Sequence, residues 1–196
     1  MVAYSFQYLT FLVKKLMRLL DLTGVMVFRL SDVEKLEGYL RSLIRGKKYI
    51  VMCVGNVLRR DDGVGSYVGS KLLDYGLQDV VINCEMCPEN YIGKLLSIDV
   101  DLVLVIDALL DERYSVGTVI VTKLPTAVED LIPVTTHTIP LNYLVNVVKM
   151  FKSDTEFYLL GIVVRDLEFG EGLSPEVHQV AEKLIKVLKK VLSEHG

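Results

Sequence analysis

Apolar positions along the chain follow two alternating periods. Tyr49, Ile50, Val51, Met52, Cys53 and Val54 are consecutive apolar residues, as in a short strand covered on both faces. Gly55-Asn56 interrupts the run with residues that tolerate tight turns. Val64, Tyr67, Val68, Leu72 and Leu73 then recur at helical spacing. The same exchange repeats downstream. Asp79 to Cys84 reads as a strand, and Pro88 to Ser97 as a helix with proline near its start. Asp101 to Ile106 is an almost unbroken apolar strand that ends at Asp107. Gly117 to Leu124 is a further strand, Thr136-His137-Thr138 a polar loop, Pro140 to Phe151 a helix and Glu156 to Val164 a strand. Ser174 and Pro175 open a final helix whose face is Val177, Val180, Ala181, Leu184, Leu188, Val191 and Leu192. Alternating strands and helices predict an α/β fold, a largely parallel sheet between helical layers.

Residues 1–47 precede this alternation and read as an N-terminal helical extension to a domain spanning 48–196. Phe6 to Leu22 is apolar but interrupted by Lys14, Lys15, Arg18 and Asp21, far short of the roughly 20 apolar residues of a membrane span. It lacks the order of a signal peptide and reads as an amphipathic helix. That helix packs on its own domain or a second subunit, or lies on a membrane surface with its cations at the head groups. Asp32 to Arg45 forms a second such helix, with Ser31 and Glu34 spaced as a capping box and Gly46 as its stop. Two apolar-faced helices without a sheet of their own make a homodimer interface a reasonable expectation.

Composition narrows the function. Half the residues, 51%, are hydrophobic, so a large core is available. A net charge of −3 argues against nucleic acid as partner. Three cysteines do not make a disulfide framework and suit a reduced cytoplasm.

The densest charged cluster, Arg59-Arg60-Asp61-Asp62, falls between the first strand of this domain and its helix, where ligands bind in open parallel sheets. Asp62, Asp107 and His137 all lie past strand ends or in adjoining loops. Two carboxylates and an imidazole suit a metal ion, or an acid–base pair with an orienting group. Blander readings stand beside this one: Asp61 or Asp62 capping the next helix, Asp107 satisfying a turn, His137 an ordinary loop histidine. The spacing of Gly55, Gly63 and Gly65 excludes the dinucleotide fingerprint, and Walker and G-x-S-x-G motifs are missing. Cys84-Glu-Met-Cys87 is a lone C-x-x-C, readable as local packing or as a redox pair with Cys53 close by. His178 and His195 read as solvated.

CVGNVLRRDDGVG, CPEN at 87–90, VIDA at 105–108 and TTHTIPLNYL at 135–144 together resemble the NiFe hydrogenase maturation endopeptidases, above all the HycI-type (hydrogenase 3) members. LLGIVVRDLEFGEGLSPEV at 159–177 resembles the family's late strand and last-helix entry. The resemblance runs in order from about 48 to 195 and omits the first 47 residues. It implies a three-layer α/β/α sandwich on a mostly parallel, twisted sheet of five strands. It also implies an aspartic-type endopeptidase that removes the carboxy-terminal extension of a hydrogenase large-subunit precursor after nickel insertion. Asp62, Asp107 and His137 then match the nickel-sensing ligands and catalytic groups; the nickel belongs to the substrate, and no permanent cofactor is implied. One segment departs from the pattern. Where relatives carry Asp-Gly-Gly and small residues, this chain has Asn83-Cys84-Glu85-Met86-Cys87, which makes Glu85, Cys84 and Cys87 possible extra contacts. Two other functions remain open: a non-catalytic nickel chaperone or docking factor for the same precursor, and a small-molecule hydrolase or nucleotide-binding protein.

Overall fold

The computed structural model describes residues 24–125 and 134–193. Its centre is a seven-stranded mixed sheet in the order β1-β5-β7-β4-β2-β3, with β6 paired to β4. The strands are β1 (Val25–Phe28), β2 (Tyr49–Val54), β3 (Val81–Glu85), β4 (Leu102–Leu110), β5 (Val119–Leu124), β6 (Val134–Thr135) and β7 (Glu156–Val163). The helices are α1 (Val33–Ile44), α2 (Val64–Asp74), α3 (Ile92–Ser97), α4 (Thr138–Phe151) and α5 (Pro175–Ser193).

The α/β class is as expected; the strand count and direction are corrected. β2, β3, β4 and β7 pair in parallel, but β5 runs antiparallel to β7. A parallel return needs a crossover of about a dozen residues. The link from Leu110 to Val119 holds no helix, so β5 starts at the sheet end where β4 stops and runs back. Two short strands add to the five expected. β1 extends the edge antiparallel to β5, and β6 pairs antiparallel with the last residues of β4.

Helices cover both faces. Val51, Cys53, Leu104 and Ile106 share one core with Val68 and Leu72 of α2 and Leu184 and Leu188 of α5. Met52, Val54, Val103 and Val105 face the other way, onto Leu95 of α3 and Leu144 and Val148 of α4. The apolar runs Tyr49–Val54 in β2 and 102–106 in β4 follow from this double coverage.

The described part of the N-terminal extension is not a separate helical appendage. Gly24 takes a left-handed φ of +65°, and Val25–Phe28 enters the sheet as β1. Helix α1 buries Leu36, Leu40, Leu43 and Ile44 in the same core as α5, and Glu37 pairs with Lys190 at 2.7 Å. The apolar face of α1 therefore needs no second subunit. Its start also differs from the Ser31–Glu34 box: the Asp32 carboxylate accepts the Arg29 N–H at 3.1 Å. Gly46, at φ +69°, lies just past the helix end as expected. The Phe6 to Leu22 helix, its lysines and His195 lie outside the described residues.

Candidate active site

The register of the sheet builds the site. The β2–β4 pairing stops at Cys53↔Ile106, yet β4 runs on to Leu110. Asp107 is thus not past the strand end, as the sequence reading had it, but inside β4, paired on its other side to Gly161 of β7. It is the first β4 residue with no β2 partner. Along the edge that β2 leaves free, β6 pairs Leu109 with Thr135 and so delivers Thr136 and His137 to the Asp107 carboxylate. His137 then stands immediately before α4.

Asp107 is fully buried. Its Oδ1 accepts the Ala108 N–H at 2.8 Å, lies 3.2 Å from His137 Nδ1 and accepts the Thr136 hydroxyl at 3.4 Å. The Thr136 hydroxyl is also 2.9 Å from His137 Nδ1. Oδ2 is buried without a hydrogen-bond partner. Burial pushes the Asp107 carboxyl above its usual range, against the pull of His137, and the Asp62 charge adds to the rise. Burial alone would hold the His137 imidazole down. The bond to Asp107 and the negative charges of Asp107, Asp62 and Glu89 win, and lift it above its ordinary 6.5.

Asp62 comes from the loop that follows β2. The Asn56 side chain accepts the Leu58 N–H at 3.0 Å, and the Arg59 N–H bonds the Asn56 carbonyl at 3.0 Å. A 3₁₀ turn over Arg60–Gly63 then leads into α2. Arg60 sits at φ +45°, a conformation rare for a residue with a side chain. The loop after β7 holds it there. Arg60 N–H bonds Gly170 O at 2.9 Å, Gly170 N–H bonds Leu58 O at 2.9 Å, and the Arg60 guanidinium meets Asp166 at 2.6 Å.

The two acids of the pair have different jobs, and neither caps α2, whose N-cap is Gly63 with no side-chain bond. Asp61 accepts the Ser174 N–H at 2.7 Å and the Ser174 hydroxyl at 2.9 Å, tying the turn to the entrance of α5. Asp62 is equally buried, but its Oδ1 has no partner. An open buried carboxylate oxygen costs stability, which is a mark of a group kept for function.

Asp62, Asp107 and His137 thus come together electrostatically at one rim of the sheet. As placed, no three His, Cys, Asp or Glu side chains among the described residues are arranged to enclose a metal ion. A third acid joins them, one that the sequence pattern does not single out. Glu89, in the 3₁₀ turn Pro88–Tyr91 before α3, has a buried Oε2 without a partner and contributes to the rise of His137. CPEN contained the signal, but an acid in the first turn of a helix ordinarily reads as a surface residue. Thr136 was likewise hidden in a polar loop.

The remaining candidates separate from the site. Cys84 is buried in the core, where burial pushes its thiol up to about 12, and Cys53 is raised further still. That is the reverse of an activated redox cysteine. All three cysteines are free, with Cys87 half-buried. His178 is exposed, with its Nε2 3.2 Å from the Tyr67 hydroxyl. Glu85 closes β3 at φ +51°, a backbone position that glycine would take more easily.

A Methanocaldococcus jannaschii protein named as a hydrogenase maturation protease is 32% identical to this chain over 170 residues, covering 81% of the chain and 96% of the relative. The chain belongs to the hydrogenase maturation protease family. The hydrogenase 3 maturation protease of Escherichia coli K12 is 31% identical over 141 residues, or 71% of this chain and 88% of that one. Among solved structures of the family, the NiFe hydrogenase maturation protease HycI from Thermococcus kodakarensis superposes with a TM-score of 0.68 at 26% identity, covering 79% of this chain and 99% of that one. The Escherichia coli endopeptidase HybD shares the fold, with a TM-score of 0.58 at 20% identity over 76% of this chain and 94% of that one. No protein-family model matches the chain.

The coupling of His137 to Asp107 is directly measurable. In an NMR titration the His137 ring should show a pKa above 6.5, and Asp107→Asn should lower it by removing the negative charge that helps lift it. An imidazole must lose its proton before its free nitrogen can accept a cation or a proton. Since its pKa is raised, that ability is lost as pH falls through a value above 6.5, and the acid limb of activity should lie there.

Proposed function

We propose that this protein is an aspartic-type endopeptidase that removes the C-terminal extension from the nickel-loaded precursor of a NiFe-hydrogenase large subunit. Nickel carried by the precursor is the recognition element, and the enzyme keeps no permanent metal or other cofactor. The observation that carries this reading is the pair of buried, unpartnered carboxylate oxygens, Asp62 Oδ1 and Asp107 Oδ2, on the two acids whose charges act on His137. Hard oxygen donors and one imidazole suit a first-row divalent cation. Because the three are not yet in ligating geometry, the substrate must draw them together, so capture and ordering of the scissile segment occur in one step.

The residues then divide the chemistry. A carboxylate beside the scissile bond takes a proton from the attacking water and passes it to the leaving amine, while the substrate's nickel, held in part by neutral His137, stabilises charge on the carbonyl oxygen. Thr136 and Asp107 fix the ring through Nδ1, which leaves Nε2 for the substrate. Without nickel the precursor lacks the charge that the acidic rim attracts, so tail removal reports metal insertion. Three free thiols suit a reducing compartment, and we place the reaction in the cytoplasm. Among the described residues no helix is long and apolar enough to cross a membrane.

The test mixes the purified protein with a large-subunit precursor, with and without nickel, and reads the precursor by intact mass. Nickel-dependent loss of a C-terminal fragment is expected. A stable nickel-dependent complex with the tail retained would make the protein a docking factor instead.

A further inference from the structure

Next to the acidic rim, the loops after β2, β3 and β7 enclose a cleft of about 370 Å³. Four large apolar side chains surround it and remain in solvent: Val57 at 54% exposure, Leu58 at 58%, Met86 at 49% and Phe169 at 83%. Exposed apolar residues scattered singly need no explanation, but several around one concavity mark a surface that something else covers. We propose that this cleft is a side-chain subsite for the polypeptide substrate, taking a bulky apolar residue on an extended segment. The proposal rests on the reading that the substrate is a polypeptide cleaved at the neighbouring carboxylates.

Three observations commit the cleft to that occupant. The first is continuity with the site. Gly55 and Asn56 form part of its wall, and the same two residues hold the Asp62 backbone: Asn56 N–H bonds Asp62 O at 3.2 Å, and a Cβ on Gly55 would lie 2.5 Å from that oxygen. The cleft and Asp62 are therefore built on the same stretch of backbone. The second is an open acceptor. Asn83 donates its amide hydrogens to Ser66 O at 3.3 Å and Ser70 Oγ at 3.1 Å, while its Oδ1 is buried with no partner. Asn83 lines the cleft, and a small turn of its amide would bring that oxygen to a backbone N–H of an extended segment, the usual main-chain contribution to peptide recognition. The third is charge. The only ionisable residue in the lining is Glu85, so an acidic side chain is repelled and an apolar one is not. Arg59 lies 5.8 Å from the centre of the Phe169 ring and helps hold that wall in place.

Leu58→Ser and Phe169→Ser test the proposal, because both side chains are exposed and their loss does not open the core. With nickel-loaded large-subunit precursor as probe, each variant should raise KM about tenfold and leave kcat within about twofold. The Kd for the same precursor, measured by interferometry, should rise by a similar factor. Unchanged KM and Kd in both variants would overturn the subsite, as would a fall in kcat at constant KM. If the native protein binds but does not cleave, the proteolytic reading fails while the Kd comparison still decides the subsite.

Discussion

Asp107→Asn should abolish precursor processing, by about 10³-fold or more in kcat/KM, while the folded protein becomes no less stable. The two halves of this expectation share one cause. Burial raises the Asp107 carboxyl above its usual range. A carboxyl with a raised folded-state pKa contributes stability below its unfolded pKa and loses that contribution as pH rises through the folded value. Near neutral pH the ionised group is therefore a net cost to the fold. Asparagine has the same shape, keeps an oxygen for the Ala108 N–H and carries no charge to desolvate. What it cannot do is present a charged second oxygen or accept a proton. Processing rates together with a thermal melt at about pH 8 check the prediction. Lost activity with an equal or higher Tm supports a functional carboxylate, a trade of stability for chemistry. Lost activity with a collapsed melt would make Asp107 a structural residue. Full activity would remove Asp107 from the mechanism.

How far the sequence revealed this site depends on how local each signal was. β2 and β4 were legible because both of their faces are buried, so every residue from Val51 to Val54 and from Leu102 to Ile106 had to be apolar. Asp107 was legible because an acid directly after such a run is conspicuous, Asp62 because it ends the densest charged cluster, and His137 because it is an imidazole in a polar loop. Three features depended on distant partners and were not. The carboxylates of Asp61 and Asp62 look alike in the local pattern, where only the resemblance selects Asp62, and the approach of Ser174, far along the sequence, is what ties Asp61 into the scaffold. β1 is too short to show a period, and its pairing with β5 came from tertiary context. Glu89 looked like an ordinary acid at a helix start, and what marks it out is the burial of Oε2 next to His137.

Gly65→Ala should be the most damaging single-methyl change in the domain, costing about 3 kcal/mol. A Cβ built on Gly65 falls 2.0 Å from Val54 O and 2.5 Å from Ile106 O. Both are backbone oxygens of the two central strands, so no side chain can turn away to make room. Relief requires the start of α2 to lift off the sheet, and that start carries the buried Val64 and Val68 and closely follows Asp62. Stability and activity are coupled here through backbone contact rather than through any reacting group. Urea unfolding followed by circular dichroism should show a lower midpoint with an unchanged m-value, and nickel-dependent processing should fall with it. Gly93→Ala is the control, since a Cβ there meets nothing within 4 Å. In α3 it should be neutral or slightly stabilising, because alanine favours helix over glycine by roughly 1 kcal/mol. Equal midpoints for the two variants would mean that α2 does not need backbone-to-backbone contact with the sheet, and the position of Asp62 would then require another explanation.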